Sequence, residues 1–312
     1  MKIGLIDVDS HNYPNLPLMK ISAYHKAKGD SVEWYDTMFS GHMDKVYVSK
    51  IFSFSPDYDR FIDTDEVVYG GSGYCISLQN GKEAYDSTKD VLLPPEIEHI
   101  YPDYSLYGVT DTAYGFLSRG CPNNCGFCHV CAKEGRVTHK VADLSEWWSG
   151  QKNIVLCDPN ILACREHMDL LRQLEESGAW VDINQGLDAR LLTPENIAAI
   201  KRLKIKEIHF AWDLMKNSKR IVQGLNTWKR FGKKDRHGSW GTVYVLTNFD
   251  TTKAENLFRI YTLDKMGFNP YVMIYDKENA PQEIRDLQRW CNNKAIFKKC
   301  PKFEDYKPRR QL

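Results

Sequence analysis

Short apolar runs alternate with amphipathic stretches along most of the chain. The first run, residues 2–8, is followed over residues 14–30 by apolar positions at helical spacing, which predicts a β-strand and then an α-helix. Two further apolar runs, at 45–52 and 65–73, are bounded by polar or glycine-rich turns and predict two more strands. This pattern predicts a small α/β unit over residues 1–90.

The alternation of strand and helix patterns becomes regular beyond residue 113. Thr193 is a typical helix N-cap, and Gly178 and Gly267 are typical helix ends. The predicted strands are 113–118, 153–158, 180–186, 207–213, 242–248 and 270–276, and the predicted helices between them include 164–178, 193–204 and 253–267. Serial β-α units predict a parallel sheet that curls into a partial (β/α)6 TIM-like barrel. In such a fold the chemistry lies at the C-terminal ends of the strands.

These patterns divide the chain into four predicted segments. Residues 1–90 form a small α/β domain of the Rossmann or flavodoxin-like kind, and residues 91–112 form a linker because they are rich in Pro and Tyr without clean periodicity. The barrel covers residues 113–290. Residues 291–312 form a C-terminal tail.

Charge and composition narrow the class of protein. The chain of 312 residues carries 42 Lys and Arg against 41 Asp and Glu, so no global charge attracts nucleic acid, which is unsupported but not excluded. No window approaches the ~20 apolar residues of a transmembrane helix, and the N-terminus lacks a signal peptide. The cysteines number nine, which is odd, and four of them lie in one loop, which favours metal ligands in a reducing compartment. We therefore expect a soluble, cytoplasmic protein with no membrane partner.

Four of the cysteines lie within eleven positions, directly after the first strand of the predicted barrel. In "RGCPNNCGFCHVC" (119–131), Cys121, Cys125 and Cys128 have the spacing C-x3-C-x2-C, and Cys131 follows. A single structural zinc usually takes two ligand pairs separated by a dozen or more residues. Three thiolates on one loop can instead bind three irons of a [4Fe-4S] cluster and leave the fourth iron without a protein ligand. A small molecule can coordinate at such an open position.

This motif, with aromatic Phe127 before its third cysteine, resembles the signature of the radical S-adenosylmethionine (radical SAM) superfamily, and the small domain before it resembles the N-terminal cobalamin-binding-like domain of some members. The resemblance implies that S-adenosyl-L-methionine chelates the fourth iron and that Phe127 packs near its adenine. Reductive cleavage would then give methionine and a 5′-deoxyadenosyl radical, which abstracts hydrogen from a substrate that the sequence does not identify. An electron donor such as flavodoxin or ferredoxin is also implied.

Polar residues follow the second and third predicted barrel strands. Family members carry a cofactor-binding segment after the second strand, where Asp158 and Asn160 lie in "VLCDPN"; the alternative is that Asp158 only begins a turn. Gln185 and Arg190 follow the third strand, and the planar fork of Arg190 suits a carboxylate. The alternative for Arg190 is a surface ion pair.

Two more candidates close the fourth and fifth strands. Asp213 ends "HFAWD" and Asn248 ends "VLTN", so both would reach the same rim of the barrel and could contact ribose hydroxyls or substrate. His209, which precedes the strand end, is interpreted as a core or supporting residue.

The N-terminal domain raises the question of a second cofactor. "DVDSHNYP" (7–14) matches the first half of the Asp-x-His-x-x-Gly motif of cobalamin-binding domains at Asp9 and His11, but Pro14 replaces the glycine. Cobalamin is therefore retained as an alternative that the missing glycine argues against.

Other functional classes remain open. If Cys131 were a fourth ligand, the protein would be an iron–sulfur electron carrier; we interpret Cys131 as a non-ligand, since a lone cysteine is often a small buried residue. A zinc-stabilised nucleic-acid-binding protein is a second alternative. A radical SAM enzyme that modifies nucleic acid is a third, with phosphate contacts from the basic stretches 229–238 and 307–310. We interpret residues 229–238 as a solvated loop.

Overall fold

The computed structural model of the chain describes residues 1–11, 13–79, 82–235 and 238–308. Its contacts group into two compact units, Met1–Cys157 and Asp158–Leu312, called here the N-terminal and C-terminal units. Both contain parallel β-sheet and α-helices, which confirms the predicted α/β class. Within the described residues, no helix combines the length and the apolar character that a bilayer-spanning segment requires.

The N-terminal unit contains four helices and ten strands within its described residues. The helices are α1 (Leu16–Ala27), α2 (Ser72–Cys75), α3 (Pro95–Glu98) and α4 (Val130–Glu134). The strands are β1 (Lys2–Asp7), β2 (Ser31–Trp34), β3 (Lys45–Ser49), β4 (Val67–Gly70), β5 (Ile76–Gln79), β6 (Lys82–Tyr85), β7 (Thr112–Gly115), β8 (Ser118–Arg119), β9 (His139–Lys140) and β10 (Asn153–Leu156).

The first four strands form one parallel sheet in the order β2-β1-β3-β4. Helix α1 begins where the Asn15 side chain accepts a hydrogen bond from the backbone N–H of Leu18, an N-cap contact. Alternate residues of the strands bury opposite faces: Ile3 and Leu5 pack with residues of α1, whereas Ile6 packs in a second cluster. The helix and the three strands predicted between residues 2 and 73 are present, and β2 is a strand that the apolar pattern did not indicate.

The predicted linker is packed rather than extended. Ile97 of α3 joins the core cluster of Ile3 and Leu5, and Tyr104 is buried with its hydroxyl donating to the carbonyl of Trp147 at 2.7 Å. These apolar side chains lie among prolines and tyrosines, so they produce no periodic signal. The predicted domain limits stay a prediction, because packing alone does not show which segment folds alone.

The C-terminal unit alternates strands and helices. The strands are β11 (Trp180–Ile183), β12 (Lys204–Ile205), β13 (His209–Ala211), β14 (Thr242–Thr247) and β15 (Asn269–Ile274). The helices are α5 (His167–Ser177), α6 (Pro194–Arg202), α7 (Ser218–Phe231), α8 (Lys253–Met266), α9 (Gln282–Asn292) and α10 (Lys294–Lys299). Strands β11 and β12 are parallel, as are β13, β14 and β15. The predicted tail contains α10 and packs Phe297 and Phe303 against Trp290.

The predicted helix ends are confirmed. Thr193 caps α6 in a capping box with Asn196, and Gly178 and Gly267 end α5 and α8 in the left-handed conformation.

Helix α7 contradicts part of the loop predicted at 229–238, because its last turn contains Lys229 and Arg230. Its buried residues, Ile221, Leu225 and Trp228, recur at helical spacing under a strongly basic surface. Residues 236, 237, 309 and 310 of the two basic stretches lie outside the described residues.

The first testable prediction concerns the end of β7, just before the cysteine loop. A Cβ added at Gly115 would lie 2.3 Å from the ring of buried Trp147, so Gly115→Ala should lower the free energy of unfolding by about 1–3 kcal/mol. Gly70, at the end of β4, is the matched control, since a Cβ there meets no atom within 4 Å. Gly70→Ala should change stability by less than about 0.5 kcal/mol in urea unfolding. Equal effects of the two substitutions would contradict the packing described.

Candidate functional site

The cysteine loop begins directly after β8 at Gly120, where the backbone conformation and the close packing require a glycine. Gly120 has φ of +85°, and a Cβ there would lie 2.4 Å from the carbonyl oxygen of Val137. The carboxylate of Glu134 accepts hydrogen bonds from the Gly120 backbone N–H at 3.1 Å and from Arg119 Nη1 at 3.0 Å. Glu134 belongs to α4, which follows the loop, so both ends of the loop are tied at its base.

The three motif cysteines lie half-buried in this loop. The backbone N–H of Cys121 donates to the carbonyl of Gly135, and that of Cys128 donates to the carbonyl of Cys125, each at 3.1 Å. Burial raises the pKa of Cys128, the negative charges of Cys125, Glu83 and Cys121 add to the rise and a backbone hydrogen bond with Val130 opposes it, so that the pKa lies at about 11. The three thiols are therefore close enough to interact electrostatically.

The loop fits a cluster in its donor set, although the thiols are not yet gathered. Across residues 1–11, 13–79, 82–235 and 238–308, no three His, Cys, Asp or Glu side chains are grouped closely enough to hold a metal ion. Thiolates are the preferred ligands of iron–sulfur clusters, and thiols lose their protons when they bind metal. Binding would thus require the three side chains to turn together and deprotonate.

Two neighbours of the motif have distinct surroundings. Cys131 is 7 % exposed on α4, and its thiol donates to Asn124 Oδ1 at 3.7 Å. Phe127 lies half-buried in the turn before Cys128. The interpretation of Cys131 as a non-ligand and the adenine contact of Phe127 stay predictions.

The cobalamin-like motif has its acidic residue engaged in the fold. Both carboxylate oxygens of buried Asp9 accept backbone N–H groups at 2.8 Å, one from Ile51 and one from Phe52, in the loop after β3. His11 is exposed and has φ of +47°. Asp9 therefore bridges the loops after β1 and β3, a structural role that accounts for its presence.

In the C-terminal unit, Asp188 links two of the predicted cofactor residues, Asn160 and Arg190, by hydrogen bonds. Asp158 and Asn160 are both buried, and Asn160 Nδ2 donates to Asp188 Oδ2 at 3.5 Å. Asp188 also receives a two-pronged bond from Arg190, with Nε to Oδ1 at 2.8 Å and Nη2 to Oδ2 at 2.6 Å. The fork of Arg190 is thus directed at a carboxylate of the chain itself, and Gln185 lies exposed in the preceding turn.

Asp213 belongs to the same electrostatic neighbourhood. Burial raises the pKa of this carboxyl to about 6, the charges of Arg259 and Arg190 oppose that rise, and the charge of Asp188 adds to it. Asp213 thus titrates close to neutral pH.

Arg259 fastens the ends of two strands from within α8. This fully buried guanidinium donates to the carbonyls of Trp212 (2.7 Å) and Asp213 (2.5 Å) beyond β13, and to that of Leu246 (2.8 Å) in β14. It also donates to Asn256 Oδ1 at 2.5 Å. Burial lowers its pKa to about 10. Asn248, with φ of +64°, continues β14.

Asn248 Nδ2 donates to the carbonyl of Tyr275 at 2.8 Å and so ties the end of β14 to that of β15. Asp188 therefore joins Asn160 and Arg190 by hydrogen bonds, and the charges of Asp188 and Arg190 act on Asp213, whereas Asn248 bonds to the neighbouring strand end.

Sequence reasoning missed Asp188 and Arg259. Asp188 stands two positions before Arg190 in "LDARL" and caps a short 3-10 turn, a local signal that was available. Arg259 lies three residues after buried Asn256 and four before buried Leu263 in α8, a spacing that marks a charged residue on the core face. Compared with known proteins, the chain matches no family model and no curated protein.

Arg259→Met is expected to destabilise the protein by about 2–4 kcal/mol, because buried strand-end carbonyls would lose their donors. Arg172 is the matched control: it is exposed and pairs with Asp169 and Glu176 on the surface of α5. Arg172→Met should cost less than about 1 kcal/mol in the same denaturant titration. Equal costs would show that the guanidinium of Arg259 does not fasten the strand ends.

The raised pKa of Asp213 makes a pH-dependent prediction. The unfolded carboxyl ionises near pH 4 and the folded one near pH 6, so the folded state binds more protons between these values. The stability of wild type relative to Asp213→Asn should therefore fall as pH rises from about 4 to about 6, and level off above that. A flat or rising difference in free energy of unfolding across this window would contradict the raised pKa of Asp213.

Proposed function

We propose that the protein is a radical SAM enzyme. In this proposal Cys121, Cys125 and Cys128 bind a [4Fe-4S] cluster and S-adenosyl-L-methionine occupies the fourth iron. The observation that carries the proposal is the loop itself: three half-buried thiols at C-x3-C-x2-C spacing interact electrostatically, and aromatic Phe127 directly precedes the third. Soft thiolate donors on one short loop suit an iron–sulfur cluster better than a single structural zinc.

When bound, the cluster supplies one electron that cleaves S-adenosylmethionine to methionine and a 5′-deoxyadenosyl radical, which takes a hydrogen atom from the substrate. The chain's own contribution is to bind, orient and exclude water. Glu134 ties the base of the loop, and the Cys131 thiol donates a hydrogen bond to Asn124 Oδ1. Phe127 offers an apolar ring face to a planar base.

For the fold we propose a partial (β/α)6 barrel from residue 113 to residue 290, preceded by a Rossmann or flavodoxin-like domain. Parallel pairing of β7 with β10, of β11 with β12, and of β13, β14 and β15 supports the barrel. The β2-β1-β3-β4 order supports the domain, because doubly wound folds of the flavodoxin kind begin in that order.

For the cofactor we propose contacts at the strand ends of the C-terminal unit. Ionised Asp213 would accept hydrogen bonds from ribose hydroxyls, and Asn160 and Asn248 offer amide groups to the cofactor. The guanidinium of Arg190 already binds the carboxylate of Asp188. It would therefore supply a positive charge near Asp213 and would not bind a carboxylate of the cofactor. Asp158 and Gln185 remain candidates from sequence.

We place the enzyme in the cytoplasm, with flavodoxin or ferredoxin as electron donor. Cobalamin is left out of the proposal, because Asp9 of its motif is bound to the β3 loop and Pro14 replaces the glycine.

Anaerobic reconstitution with iron and sulfide tests the proposal. The reconstituted, reduced wild type should release 5′-deoxyadenosine from S-adenosylmethionine, measured by chromatography, because three thiolates leave one iron open. Cys125→Ala should abolish the product, whereas Cys131→Ala, the matched control in the same loop, should retain the cluster and at least about a tenth of the product.

Two outcomes would contradict the proposal. Loss of the cluster in Cys131→Ala, with no product from wild type, would identify an electron carrier with four protein ligands. Zinc without iron in protein purified anaerobically would identify a zinc-stabilised protein.

A further inference from the structure

A carboxylate of the antiparallel pair β5–β6 contacts the cysteine loop. The backbone N–H of His129 donates to Glu83 Oε2 at 3.1 Å, and His129 Nδ1 lies 2.7 Å from the same oxygen. His129 directly follows Cys128 in the chain. The Glu83 side chain is 27 % exposed, so water screens its charge only in part.

The same segment grips the helix that follows the loop. Lys133 on α4 donates to Asp90 Oδ1 at 2.5 Å, and Asp90 also accepts the Tyr85 hydroxyl at 3.0 Å. The Asp90 side chain is only 6 % exposed. Glu83 and Asp90 therefore hold the loop on the C-terminal side of the motif, while Glu134 holds its base.

We propose that Glu83 is a positioning residue that fixes the Cys128 end of the cysteine loop and lowers the reduction potential of the cluster bound there. The effect on the reduction potential rests on the function proposed above, whereas the positioning role rests on the contacts alone.

Two effects of Glu83 on the potential have the same sign. Backbone N–H groups that donate to cluster sulfurs raise the potential, and Glu83 occupies the N–H next to Cys128. Its negative charge also disfavours an added electron nearby. A cluster of low reduction potential is able to pass its electron to the sulfonium of S-adenosylmethionine.

The experiment compares Glu83→Ala and Glu83→Gln with Glu33→Gln, a control that removes the same charge from an exposed position on β2. Amide hydrogen exchange in residues 121–131 is measured on cluster-free protein. Glu83→Ala should speed exchange there by about fivefold, because a hydrogen bond to the loop is lost. Glu83→Gln keeps an acceptor and should exchange like wild type.

The potential is measured on reconstituted protein by redox titration followed by electron paramagnetic resonance. Both Glu83 variants should shift to a more positive potential, whereas Glu33→Gln should match wild type. Unchanged exchange in Glu83→Ala would overturn the positioning role, and unchanged potentials in both variants would overturn the effect on the cluster. If the protein binds no iron–sulfur cluster, the proposed function and the effect of Glu83 on the reduction potential are both wrong. The hydrogen-exchange result still decides the positioning role in that case.

Discussion

The cost of ionising a half-buried thiol is the constraint on which the cysteine loop depends. Burial, and to a smaller extent the charges of Cys125, Glu83 and Cys121, raises the pKa of Cys128, so a metal must compensate the charge of this thiolate when the loop binds one. Contacts from outside the motif keep the loop in place meanwhile. Gly120 permits the entry turn, Glu134 ties the base and Glu83 holds the exit. The loop is therefore restrained at its ends, and its cysteine side chains can still turn to bind.

In the C-terminal unit, a buried arginine stabilises the strand ends. Arg259 satisfies backbone carbonyls from two neighbouring strands, and its buried charge is felt by Asp213. Removing water from these groups strengthens their interactions and raises the cost of leaving any of them unpaired. A buried cation that donates to strand-end carbonyls thus fixes the position of a carboxylate that titrates near neutral pH.

Much of the fold was predictable because its strands and helices follow clear periods. The strands β1, β14 and β15 and the ends of α5, α6 and α8 match expectation, since apolar runs and capping residues are local signals. Strand β2 was missed because it is short and mostly exposed. The last turn of α7 was missed because Lys229 and Arg230 begin a basic run that is typical of a solvated loop.

The site was predictable only where the spacing of residues along the chain indicates the chemistry. The cysteine motif is such a case, whereas the contact of Glu83 with His129 joins residues 46 positions apart and leaves no pattern in the sequence.

The central claim is that one iron of a cluster on this loop is left open. Electron paramagnetic resonance of the reduced, reconstituted protein tests it most directly: the account predicts a changed spectrum when S-adenosylmethionine is added. An unchanged spectrum in a protein with a full complement of iron and sulfide would contradict it.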